Sequence, residues 1–135
     1  MSDGRIPDDE VLYRRIPIVE GWFQPPDRIT SSNFKLRDDE LGISVYRASI
    51  VDAANVLNRP EVKVECRVAA ATAGQIRVAK NGKGEPLHLD VIPVDDEDDP
   101  GHAEIRYRDP TSELIDPGKI SKSAANALRS LFRLV

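Results

Sequence analysis

The stretch that most restricts what this chain can fold into is Leu41 to Leu57, LGISVYRASIVDAANVL. Its first half, Ile43 to Ala48, holds Ile43, Val45 and Tyr46 with no breaker, which suits a pleated, half-buried strand. The second half changes period: Ile50, Ala53, Ala54 and Leu57 recur at helical spacing and give one apolar face to lay on a sheet. Ser49 stands where a helix N-cap is expected, and Asp52, three residues on, is a shortened form of the capping-box acid. Asn58-Arg59-Pro60 then stops the helix, because the residue before a proline is pushed out of the helical region. A strand that feeds directly into a capped helix is a building block of α/β and α+β domains.

The unit recurs. Val62 to Ala71, VKVECRVAAA, alternates and then turns fully apolar, as a central strand does. Thr72 and Gln75 make a T-x-x-Q capping box that opens a short helix through Ile76, Val78 and Ala79. Asn81-Gly82 and Gly84 end it in a turn. Val11 to Val19 reads as a strand whose second half Pro17 places at an edge or a bend. Gly21 to Asn33 is a loop by its glycine, paired prolines and Ser-Ser-Asn. Leu87 to Val94 and His102 to Tyr107 read as further strands. Ile120 to Val135 reads as an amphipathic helix with Ile120, Ala124, Ala127, Leu128, Leu131 and Leu134 on one side. This order predicts an α/β or α+β fold, a single compact domain at 11–135 behind a polar tail at 1–10. Its core is a mixed sheet carrying two short capped helices and a C-terminal amphipathic helix. Parallel and antiparallel pairing both remain open.

At 135 residues the chain can bury a core without metals or disulfides. The single cysteine, Cys66, excludes an internal disulfide and a thiolate zinc site, and its apolar strand neighbours predict an inert, buried thiol. No apolar run approaches the roughly 20 residues of a membrane helix, and the acidic opening MSDGRIPDDEV is unlike a secretory signal. A cytoplasmic location without membrane association is therefore expected. The net charge of −4 argues against nucleic acid as the main ligand. The charge is uneven, however: Asp95, Asp96, Glu97, Asp98 and Asp99 form one acidic block, while basic residues gather at Arg14 and Arg15, at Arg106 and Arg108, and along the last helix.

Several residues carry the types that chemistry needs. On a strand, Arg14 and Arg15 point to opposite faces, so one of them can meet a ligand anion and the other solvent. The plain alternative is an internal salt bridge to the acidic block or to Asp52. Ser31 and Ser32 offer hydroxyls in a long loop, although such serines more often bond their own backbone. His102 and Glu104 share one face of a strand by period-two spacing, a pairing suited to general acid–base work. His88 and Asp90 repeat that spacing on the preceding strand, but two histidines and no H-E-x-x-H helix make a polar edge the better reading than a metal site. No G-x-S-x-G elbow supports a hydrolase serine. Trp22 and Phe23 in the long loop, and the acidic block Asp95–Asp99, are the candidate docking features for a protein partner.

Taken together, LYRRIP at 12–17, SSNF at 31–34, GISVYRA at 42–48 and GHAEI at 101–105 resemble the pattern of small bacterial proteins whose activity is uncharacterised. A second similarity is to ADP-ribosyltransferase-like domains, which open on a strand bearing an arginine or histidine and close on a strand offering a glutamate. That resemblance implies NAD as cofactor: Arg14 or Arg15 on its phosphate, Ser31 and Ser32 on the ribose, Tyr46 stacked on nicotinamide, and Glu104 stabilising the developing positive charge. The serines here precede the strand on which the pattern would place them.

The leading expectation is a small accessory protein that acts through protein–protein contact and needs no cofactor. The rival is an NAD-dependent transferase or NAD-cleaving enzyme using Arg14 or Arg15, Tyr46 and Glu104, with His102 beside it. A third reading, a nucleic-acid-contacting subunit, would use Arg106, Arg108, Lys122, Arg129 and Arg133.

Overall fold

A computed structural model describes residues 6–25, 28–34, 42–59, 62–94, 99–108, 115–116 and 122–135. Strand β1 (Val11–Pro17) lies at the middle of a seven-stranded sheet. Along the chain follow β2 (Phe23–Gln24), β3 (Arg28–Ile29), a 3-10 turn at Ser31–Phe34, and β4 (Ile43–Arg47). Helix α1 (Ala53–Leu57), strand β5 (Cys66–Thr72) and helix α2 (Ala73–Arg77) come next. The chain continues through β6 (Leu89–Pro93), β7 (His102–Arg108), β8 (Ile115–Asp116), α3 (Lys122–Leu131) and β9 (Arg133–Leu134). The sheet order is β6-β7-β4-β1-β5-β9, with β8 also on β7, and β2-β3 form a separate ribbon. Among the described residues no helix is long and apolar enough to cross a membrane.

Of the two expected classes, α+β is the one found, and every register among the described residues is antiparallel. The pairing that residue spacing leaves open is thus antiparallel among the described residues, for a topological reason. Strands β4 and β5 both run antiparallel to β1, so they are parallel to each other with β1 between them. By the same logic β4 and β6 are parallel with β7 between them. The two strand–helix–strand units therefore do link parallel strands, as their length allows. Strand β1 is inserted between β4 and β5 and strand β7 between β4 and β6, and each adjacent pair becomes antiparallel.

Side-chain alternation gives the sheet two different faces. On the core face, Leu12, Ile16, Ile43, Val45, Ala69, Ala71, Val91 and Ile105 meet Ile76 of α2, Leu128 of α3 and the small β2-β3 ribbon through Phe23 and Ile29. Phe34 of the 3-10 turn stacks on Phe132 with ring centroids 5.1 Å apart, which fastens that turn to the end of α3. On the opposite face a smaller apolar cluster of Tyr46, Val51, Val56 and Val68 sits under α1. Around Ser44, His102, Glu104 and Arg106 that second face is polar, while Ala70 and Ile92 add apolar positions elsewhere on it.

Several boundaries differ from expectation: β1 ends at Pro17 and not Val19, β5 begins at Cys66 and not Val62, and three further differences have a visible cause. Asp52, not Ser49, caps α1: its carboxylate accepts from the Asn55 N–H at 2.8 Å. The Ser49 hydroxyl is drawn off to Glu10 at 2.6 Å. Residues 6–10, read as tail, belong to the fold. Ile6 is fully buried, Glu10 pairs with Arg47 at 2.7 Å, and the Asp8 carbonyl accepts from Gly74 at 2.8 Å. The last helix ends at Leu131, after which Arg133 and Leu134 join the sheet beside β5. The T-x-x-Q box is formed as expected, with Thr72 and Gln75 satisfying each other's backbone donors.

Pro17 also behaves as expected. Strand β1 pairs with β5 along its whole length but with β4 only at Leu12 and Tyr13, so among the described residues its second half has β5 alone as a strand partner.

Candidate functional site

The polar face is built by three adjacent strands. Tyr13, Tyr46 and His102 are consecutive register partners across β1, β4 and β7, and Ser44 pairs with Glu104 one step along. Period-two alternation places Arg15, Ser44, Tyr46, His102, Glu104 and Arg106 on this one face. Tyr46 is only 4% exposed and is hemmed in by charge. The guanidinium of Arg59 lies 4.6 Å from its ring centroid, that of Arg15 5.4 Å, and the His102 ring 5.5 Å.

The turn leading into β7 brings Asp99 to the same place. Its Oδ1 accepts from Arg59 Nη1, its Oδ2 takes the Tyr46 hydroxyl at 3.4 Å, and His102 Nδ1 stands 3.8 Å from Oδ2. On the other side of the imidazole, Nε2 is 3.1 Å from Ser44 Oγ. Gly101 makes the turn possible: its φ is +84°, and a Cβ there would meet Val51 Cγ2 at 2.6 Å. Glu104 is held by Arg106 on its own strand, so its carboxylate is a paired anion.

The remaining sequence candidates lie elsewhere. Arg14 alternates with Leu12 and Ile16 on the core face, where it donates to the Asn33 carbonyl at 2.8 Å and to the Ser44 carbonyl at 2.8 Å. Ser31 and Ser32 belong to the 3-10 turn that Arg14 and Phe34 pin to that same face. The sheet thus separates the transferase-type residues: Arg14, Ser31 and Ser32 on one face, Arg15, Tyr46, His102 and Glu104 on the other. Phe23 is spent on the core, with Arg67 6.0 Å over its ring, and Trp22 is half-buried with its carbonyl accepting from Asn33 at 2.7 Å. Residues 95–98 of the acidic block lie outside the described residues. Asp99 is described and faces inward to Arg59.

His88 sits at φ +56°, exposed, ahead of β6, and Asp90 is turned to Arg77 at 2.7 Å. Neither joins His102, so the two H-x-[DE] repeats do not form one cluster. Cys66 opens β5 half-buried, and burial, which outweighs the nearby charge of Arg15, pushes its thiol up. It is a poor thiolate at neutral pH.

A second candidate region lies on the far side of the molecule, around α3. An open hollow of about 400 Å³ is lined by residues that include Ile29, Phe132, Leu134 and Arg133. Another of about 620 Å³ is lined by residues that include Lys80, Asn81, Ser123, Asn126 and Leu131. Arg129 and Ser130 border both, so the hollows flank the C-terminal half of α3. Among the described residues neither is lined by an acidic one. Val78 and Val135, next to the lining residues Ala79 and Leu134, are 71% and 68% exposed.

Sequence reading missed Ser44, Arg59, Asp99 as a partner of His102, and Lys80. The first three come from a strand, a helix end and a turn. Only their meeting at Tyr46 makes them a group, and no local spacing signals it. Comparison with protein-family models, with curated proteins and with solved structures finds no match to this chain.

Proposed function

We propose that this protein is an accessory subunit that acts by docking an acidic, amphipathic segment of a partner protein on its α3 face. The observation carrying the proposal is the pair of hollows astride α3, whose largely polar linings set the cations Lys80, Arg129 and Arg133 beside a few apolar side chains, Ile29, Phe132 and Leu134 in one and Leu131 in the other. Helix α3 has no acidic residue, and among the described residues none of these three cations is in an ion pair. In a chain of net charge −4, so one-sided a surface favours an acidic ligand. The apolar side chains among these cations and the exposed Val78 and Val135 favour an amphipathic protein segment over bare phosphates.

Capture from extracts of the native cell tests this. The wild type is expected to retain a partner at about 0.1 M salt, where screening is moderate. The Arg129→Glu/Arg133→Glu variant is expected to lose it while keeping its thermal stability. Equal retention by both proteins would contradict the proposal.

A second reading, NAD-dependent transfer, is favoured by the common face of Arg15, Tyr46 and Glu104. The burial of Tyr46 beneath two guanidinium groups weighs against its stacking on nicotinamide. Turnover of NAD by the purified protein, lost in Glu104→Gln, would promote this reading. Equal, background-level signals from both proteins would end it. The nucleic-acid reading needs Arg106 together with Lys122, Arg129 and Arg133, yet Arg106 is bound to Glu104 on the face opposite α3.

A further inference from the structure

We infer that Ser44, His102 and Asp99 form a nucleophile–base–carboxylate relay that can take an acyl group from a carboxylic ester. The inference is independent of the α3 docking face. Such relays are recognised by geometry and role, not by sequence order or by fold. Here Ser44 Oγ lies 3.1 Å from His102 Nε2, and Asp99 Oδ2 lies 3.8 Å from Nδ1. The serine and the carboxylate therefore address opposite nitrogens of one imidazole, as a base that must accept a proton on one side and be steadied on the other requires.

Two further groups hold the carboxylate. Arg59 occupies Oδ1 and the Tyr46 hydroxyl reaches Oδ2 at 3.4 Å, so Asp99 has one orientation open to it, with Oδ2 toward the imidazole. The 3.8 Å gap is a charge contact and not yet a hydrogen bond. Relays of this kind tighten when substrate binds. The site is also partly closed to water, with the His102 side chain 16% exposed. The Nε–H of Arg59 is buried with no hydrogen-bond partner among the described residues, a donor left over beside the carboxylate.

The chemistry balances without a cofactor. Ser44 Oγ bonds to the ester carbonyl carbon as its proton passes to His102 Nε2. The tetrahedral adduct then expels the alkoxide, which leaves as the alcohol with that proton. Water repeats the sequence in reverse roles, releasing the carboxylic acid and restoring Ser44 and neutral His102. Asp99 touches none of the reacting atoms and is a positioning residue. Its negative charge steadies the imidazolium in both half-reactions.

The test is covalent labelling of the intact chain with a fluorophosphonate probe, read by mass spectrometry at peptide resolution. One adduct on Ser44 is expected, and the labelling rate should fall about 10²-fold or more in His102→Ala, the usual scale of general-base assistance. Asp99→Asn should slow labelling as well. It should also move the pH at which the rate rises, a change that mere loosening of the turn would not produce. Hydrolysis of p-nitrophenyl acetate, measured on the same proteins, supplies the second readout. Urea midpoints of each variant separate loss of reactivity from loss of fold. An unlabelled Ser44 in the folded wild type, or labelling indifferent to His102→Ala, would overturn the inference.

Discussion

Glu10 ties the N-terminal segment to the loop ahead of α1, and its ionisation is coupled to folding. Burial alone would raise its carboxyl, but the Ser49 hydroxyl and Arg47 outweigh burial and hold it below the ordinary value. A carboxyl lowered on folding adds stability above its unfolded value, about 4.3 for glutamate. That stability is lost as the pH falls through the lower folded value. The urea midpoint of the wild type should therefore drop more steeply than that of Glu10→Gln between about pH 5 and about pH 3. Parallel curves would show that the Ser49–Glu10–Arg47 cluster is not linked to folding. Gly101 poses the second test at this scale. Both its positive φ and the 2.6 Å approach to Val51 oppose a side chain. Gly101→Ala should cost at least about 1 kcal/mol in chemical denaturation, and an unchanged midpoint would mean that the turn carrying Asp99 adapts.

At the level of elements, period and punctuation were readable and partner choice was not. The strand in Ile43–Arg47, the Thr72–Gln75 box and the amphipathic α3 all follow from residue spacing. The cap of α1 did not, because Ser49 and Asp52 are both good caps and tertiary structure decided between them. Glu10, from a segment that reads as tail, claimed the serine. Asp52→Ala should then lose about 1 kcal/mol, the usual worth of such a cap, while Ser49→Ala should leave α1 intact and disturb Glu10 instead. Helical content and the pH dependence of stability distinguish the two variants. If Ser49→Ala unwinds α1 and Asp52→Ala does not, the capping assignment is reversed. The shortening of the last helix has a similar cause: Arg133 and Leu134 pair with β5, and the sheet offers their backbone groups what another helical turn would have supplied.

For the whole molecule, the sheet decides which residues can cooperate. Alternation along β1 divides Arg14 from Arg15, and with Arg14 go Ser31 and Ser32. The sequence does show that the two arginines diverge, since a strand has only two faces. It does not show which faces the core, because the deciding register with β5 joins residues far apart in the chain. The α3 surface was legible as a basic helix. The C-terminal strand that follows α3 directly and the distant loop carrying Lys80 complete its hollows, and no local rule brings that loop to α3.

The claim that α3 is the docking face is tested most directly by site-specific photo-crosslinking in the native cell. A photoreactive residue at Ser130, between the hollows, should yield one protein adduct whose crosslinked peptide is acidic and amphipathic. That adduct should disappear on Arg129→Glu/Arg133→Glu, and a probe at the exposed Asn55 on α1 should yield none. Adducts to nucleic acid at Ser130, or a protein adduct formed from Trp22 and not from Ser130, would contradict it.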